Sequence, residues 1–145
     1  MNILVTGGAG YIGSHACLCL LDAGYDITII DDLSTGHEQL IPKKADFIKA
    51  NINDTVTITN LLQQKSFAAL MHFAGFIQVE ESIKSPQKYF NNNTKNAAIL
   101  FENCFNDSNI KGASSASPKV WVIHIASENI PRSGYSRTSN LGLLR

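Results

Sequence analysis

What the chain lacks narrows its class first. Three cysteines, Cys17, Cys19 and Cys104, are spread over 145 residues. Cys17 and Cys19 are too close for a disulfide within a helix, and no spacing among the three matches a metal site. A disulfide scaffold is excluded, and the expectation is reduced thiols in the cytoplasm. An excess of one charge is missing too, since 12 Lys and Arg balance 12 Asp and Glu. That removes the electrostatic case for nucleic acid or an anionic membrane surface as a partner. No apolar run approaches the roughly 20 residues of a membrane span. The start, Met1-Asn2-Ile3-Leu4-Val5, lacks the basic region and cleavage site of a signal peptide. His15, His37, His72 and His124 have no ligand spacing, so no metal is expected. His72 lies within an apolar run, where a hydrogen-bonded core imidazole is the expectation.

What is present is an alternation of strand-like and helical stretches. Residues 2–6 form a β-rich run without alternation, as in a strand buried on both faces. Residues 11–23 predict a helix burying Ile12, Ala16, Leu20 and Ala23, with Gly24 as its stop. Residues 26–30 (DITII) predict a second strand, 46–49 a weak third and 68–73 (AALMHF) a fourth. Asp54 is placed to cap a helix running to Gln64. Ser85-Pro86 opens a long helix to about Phe105, with Phe90, Ala97, Phe101 and Cys104 at helical spacing. Inside it, Asn91-Asn92-Asn93 is costly, because asparagine is a poor helix former. Glu80-Glu81 reads as a solvated loop face. The pattern changes near Gly112: residues 112–118 are loop-like, 120–126 (VWVIHIA) predict a fifth strand, and the tail has no clear cap. Such alternation specifies a parallel sheet with right-handed crossover helices, the doubly wound α/β class.

The chemistry begins at the first strand-to-helix junction. Gly8-x-Gly10-x-x-Gly13, with Gly7 beside it, stands between a buried strand and a helix. Glycines there permit a tight turn, let backbone amides reach a pyrophosphate, and let the helix pack closely. The helix N-terminus adds unpaired N–H groups and partial positive charge. Asp31 follows Gly13 by 18 residues, at the end of the second strand. A carboxylate there accepts the two hydroxyls of an adenosine ribose and repels a 2′-phosphate. The combination points to dinucleotide binding, and to NAD rather than NADP. Asp32 is a second ribose neighbour.

Taken together, VTGGAGYIGSH, IIDDLSTGH, MHFAG and ESIKSPQKYFNNNT resemble the UDP-glucose 4-epimerases. These belong to the extended short-chain dehydrogenase/reductase superfamily, in its NAD-dependent epimerase/dehydratase branch. The resemblance covers about residues 1–111. It implies a Rossmann-like fold, incomplete at its C-terminal end, with residues 1–112 as the NAD-binding domain. Residues 113–145 are then a divergent continuation, and the C-terminal sugar-nucleotide domain is expected to be absent. By the same resemblance Gly7, Gly10, Tyr11, Ile12 and Gly13 face the pyrophosphate, and Asp31 and Asp32 the adenosine ribose. Asn51-Ile52 stand beside the adenine, where relatives have Asp-Ile. Phe73, Ala74 and Gly75 line the cofactor, and Asn93 matches a buried asparagine near the nicotinamide half. Ile77 stands where many relatives carry lysine.

The implied reaction interconverts UDP-glucose and UDP-galactose through a 4-keto sugar, with a UDP-sugar as partner and a homodimer allowed in full-length relatives. It uses a tyrosine, a lysine four residues later, and a helper hydroxyl. Tyr135 and Ser127 are the candidate catalytic residues, but Ser139 stands where the lysine belongs. Serine is uncharged and too short to replace it. The isolated chain is therefore expected to be inactive. A catalytically silent NAD-binding fragment and a related dehydratase or reductase are the alternatives.

Overall fold

The computed structural model describes residues 1–106. The fifth-strand reading, Ser127, Tyr135 and Ser139 all lie outside the described residues. Within them, strands β1 (Asn2–Thr6), β2 (Asp26–Asp31), β3 (Asp46–Lys49) and β4 (Ala69–His72) form one parallel sheet in the order β3-β2-β1-β4. The chain grows outward from β1 through β2 to β3, then returns to place β4 on the other side of β1. This reversal leaves a crevice beyond the C-terminal ends of β1 and β4, the usual ligand position in open α/β sheets.

Helices cover both faces, which is why the strands read as continuous apolar runs. Ile3 and Val5 of β1 and Ile27 and Ile29 of β2 pack with Cys17 of α1 (Tyr11–Asp22). The alternate residues Leu4, Ile30 and Leu70 face α2 (Thr55–Gln64) and α5 (Ala97–Asn106). There they meet Ile58, Leu61, Leu62, Leu100 and Cys104. Asp54 caps α2 as expected, accepting the Thr57 N–H at 3.1 Å. His72 is a buried core imidazole, with Nδ1 2.7 Å from the Thr6 hydroxyl and its ring edge-on to Phe101.

Three expectations need correction. The buried side of α1 is Gly13, Ser14 and Cys17, with Leu20 and Leu21 packed against the core, and Ile12 and Ala23 stand outside. Gly13 sets that rotation, because its missing side chain lets the first turn press onto the Gly7 carbonyl. The long helix is not uniform. It runs as α4 (Pro86–Phe90), a π-helical stretch (Asn91–Asn96) and α5, and Phe90 lies exposed rather than in the core stripe. The wider winding falls on the asparagine patch, where side-chain hydrogen bonding competes with regular helix. Finally, Glu80 and Glu81 belong to a short helix, α3 (Val79–Lys84), and not to a loop.

Candidate functional site

The groove at the switch point starts from the turn after β1. Gly7 has φ +75, and its N–H still completes the sheet by donating to the Ile30 carbonyl at 2.9 Å. Gly10 then donates to the Gly7 carbonyl at 3.2 Å, and Ser14 is the first residue to close a helical bond, to the Gly10 carbonyl. Tyr11, Ile12 and Gly13 therefore occupy the first turn, whose amides have no intrahelical acceptor. No side chain caps them and no acid lies in that turn. These amides carry the positive end of the helix dipole toward the groove.

The second wall comes from the end of β2. Asp31 is 9% exposed, and its two oxygens accept the Ala9 and Leu33 N–H groups, each at 2.9 Å. One carboxylate thus holds both the glycine turn and the turn after β2. Each oxygen keeps a further lone pair for a ligand hydroxyl. Leu33 adopts φ 60 to complete this turn. Asp32 accepts from Ser34 N–H at 2.9 Å and from the Asn51 amide at 2.7 Å. Partial burial pushes its carboxyl up, but hydrogen bonds from Ser34 and Asn51 outweigh this and hold it below the usual range. Asn51 also accepts the Asn53 N–H at 3.1 Å. One N–H and one lone pair of its amide remain free of these bonds.

The third wall is the segment after β4, fastened by the two asparagines. Asn93 accepts the Phe76 N–H and donates to the Phe76 carbonyl, both at 2.8 Å. Asn92 donates to the Ala74 carbonyl and to Asn93 Oδ1, both at 2.9 Å. Asn92 is the buried one of the pair, and Asn93 is half-buried. The sequence pointed to Asn93 and missed Asn92, although the costly asparagine run marked the place. Replacing Asn92 with leucine keeps the branched shape and removes both donors. The Ala74 carbonyl loses this donor and Asn93 Oδ1 keeps only the Phe76 N–H, so a loss of about 1–3 kcal/mol is expected. A lower urea midpoint at unchanged slope checks it; an unchanged midpoint would show that the clasp carries no stability.

Every cofactor residue named from the sequence lines this groove. Asp31, Asp32, Asn51, Ile52 and Ala74 lie at its narrow end, and Tyr11, Ile12, Gly13 and Asn93 at its wide end of about 510 Å³. Gly7, Gly10, Thr35, Phe73, Gly75 and Phe76 line both ends. Ser34, Thr35 and Gly36 also belong to the wall, as do Glu81, Lys88 and Tyr89, none of which the sequence placed at the cofactor. A Cβ on Gly36 would stand 2.9 Å from Ala9 Cβ and 3.0 Å from Asp31 Oδ1, so a side chain there would crowd that carboxylate. Among the described residues no group of His, Cys, Asp or Glu gathers to hold a metal. No helix among them is long and apolar enough to cross a membrane.

Uncapped helix amides at one end and fixed carboxylates at the other suit a ligand carrying phosphates and a ribose diol. Fold and groove together define a Rossmann-like, doubly wound dinucleotide-binding protein. The NAD dependent epimerase/dehydratase family matches residues 3–137, and this chain belongs to that family, with NAD as its cofactor. It is 42% identical over 111 residues to the UDP-glucose 4-epimerase of Lactobacillus helveticus, covering 77% of this chain and 33% of that one. Against the UDP-glucose 4-epimerase of Lacticaseibacillus casei it is 38% identical over 144 residues, covering 95% of this chain and 44% of that one. The solved Brucella ovis UDP-glucose 4-epimerase in complex with NAD superposes with a TM-score of 0.68 at 37% identity. That match covers 71% of this chain and 31% of that one. The chain thus spans less than half the length of these relatives.

Proposed function

We propose that this chain is the NAD-binding part of a UDP-glucose 4-epimerase of galactose metabolism, working in the cytoplasm. The observation that carries the reading is the convergence of the uncapped α1 N-terminus, Asp31 and the asparagine clasp on one groove at the switch point. In this reading residues 1–112 are the cofactor domain and 113–145 its continuation. Gly7, Gly10, Tyr11, Ile12 and Gly13 hold the pyrophosphate by backbone amides. Asp31 takes the adenosine ribose hydroxyls, with Asp32 and Asn51 beside it and Ile52 under the base. Phe73, Ala74 and Gly75 support the middle of the dinucleotide, and Asn93 fixes the wall at its nicotinamide half.

When bound, NAD supplies a reversible hydride acceptor for C4 of the UDP-sugar. The chain's own part is to bind and orient. Tyr135 and Ser127 are the proposed proton-handling and helper residues, and the whole enzyme is proposed to act as a homodimer. A second reading, a silent NAD-binding module, is favoured by one residue. Ser139 stands where the reaction needs an ammonium to draw the tyrosine pKa down from near 10.

Calorimetric titration with NAD⁺ and NADP⁺ tests the common core of both. NAD⁺ is expected to bind saturably and NADP⁺ at least about tenfold more weakly, because Asp31 and Asp32 face a 2′-phosphate with like charge. Equal affinities would sink the assignment of these carboxylates to the ribose.

A further inference from the structure

The wide end of the groove contains one ammonium among its described lining residues, that of Lys88. Its Nζ lies 2.6 Å from Glu81 Oε1 and 4.9 Å from the centre of the Phe76 ring. The other Glu81 oxygen accepts the Tyr89 hydroxyl at 2.9 Å, and the Tyr89 ring meets Phe76 edge-on. A flexible lysine is thereby held against the wall by a carboxylate and an aromatic face. The adjacent pair Lys84–Glu80 offers a contrast. It is an i,i+4 surface pair with side chains 71% and 84% exposed, and neither residue lines the groove. Lys88 and Glu81 are 50% and 39% exposed, join α4 to α3, and both line the cavity. An exposed ion pair alone stabilises little, whereas ordering a lysine in advance lowers the entropy lost when it binds a ligand. An ammonium has three N–H donors and Glu81 takes one, so donors remain for an anion.

We propose that Lys88 is the diphosphate-reading cation of this groove, held ready by Glu81 and Phe76 to meet a nucleotide bound along the α1 N-terminus. The proposal rests on the dinucleotide reading and adds a residue to it. The diphosphate belongs either to the dinucleotide or to a nucleoside-diphosphate sugar beside it. Glu81 acts as a positioning residue: its carboxylate holds the Lys88 ammonium on the groove wall.

The test titrates the full chain, Lys88→Met, Lys88→Arg and Lys84→Met with NAD⁺, and separately with UDP, at low and high salt. Lys88→Met is expected to weaken binding about 5- to 20-fold and to flatten its salt dependence. Lys88→Arg should keep most of the affinity, and Lys84→Met all of it. A loss seen with NAD⁺ assigns Lys88 to the dinucleotide, and a loss seen with UDP alone assigns it to the sugar nucleotide. Lys88→Met that matches the unmodified chain in affinity and salt dependence for both ligands overturns the proposal and leaves the dinucleotide reading intact. An unmodified chain that binds neither ligand overturns both.

Discussion

Gly7→Ala is expected to be strongly destabilising. Two independent costs meet there. The residue has φ +75, which an L side chain adopts at a cost of about 1–2 kcal/mol. A Cβ would also stand 2.5 Å from Ala74 N and from the Phe73 carbonyl carbon, which are backbone atoms that cannot swing aside. Overlap of that kind adds about 1–3 kcal/mol, for a total of about 2–5 kcal/mol. Gly24→Ala separates the two costs. Gly24 has φ +83, but a Cβ there meets nothing within 4 Å. It should lose only the conformational part, about 1–2 kcal/mol. Urea melts of both variants give the comparison; equal losses would show that the packing of the turn against the segment after β4 is slack. NAD⁺ affinity should fall with Gly7→Ala and stay unchanged with Gly24→Ala, because Gly7 lines the groove and Gly24 does not.

Asp31→Ala is expected to damage both stability and binding. Removing the carboxylate leaves the Ala9 and Leu33 N–H groups without their acceptor in a mostly buried place. At about 1–2 kcal/mol for each orphaned donor, stability should drop by about 2–4 kcal/mol. NAD⁺ binding should weaken by a further 1–3 kcal/mol, roughly 5- to 150-fold, through the lost acceptor for the ribose hydroxyls. Asp31→Asn is the informative partner. Its amide has one acceptor oxygen, so it can serve one of the two N–H groups and not both. Its stability should fall between that of the unmodified chain and Asp31→Ala. If Asp31→Asn were as stable as the unmodified chain, the double bond to the two turns would not be what holds them.

Asp31 also shows how far the sequence could be read. Its position 18 residues beyond the glycine turn marked it as a ligand for a ribose. The same carboxylate joins the turn after β1 to the turn after β2, and that role was not legible. It depends on two loops meeting across β1 and β2, and sequence distance carries no record of that meeting. Asn92 and Asn93 follow the same logic. Three asparagines in a helix signalled a cost, and the resemblance set one of them, Asn93, near the nicotinamide half without showing what they bond. The return is a set of hydrogen bonds to Ala74 and Phe76, on a segment 17 or 18 residues away.

The parallel sheet, the glycine turn, the Asp54 cap and the acidic end of β2 follow from the sequence by itself. Each depends on local chemistry: apolar runs, missing side chains and capping groups placed within a few residues of where they act. Tertiary structure alone decided which face of α1 is buried, where the asparagine helix widens, which asparagine is enclosed, and that Lys88 stands on the wall of the groove. Those outcomes depend on contacts between segments far apart in the chain. The helix faces are chosen by what the sheet presents to them, and Gly13 turns α1 by meeting Gly7 at close range. Periodicity records that a helix has an apolar side, but the angle at which that side docks is set by backbone contact.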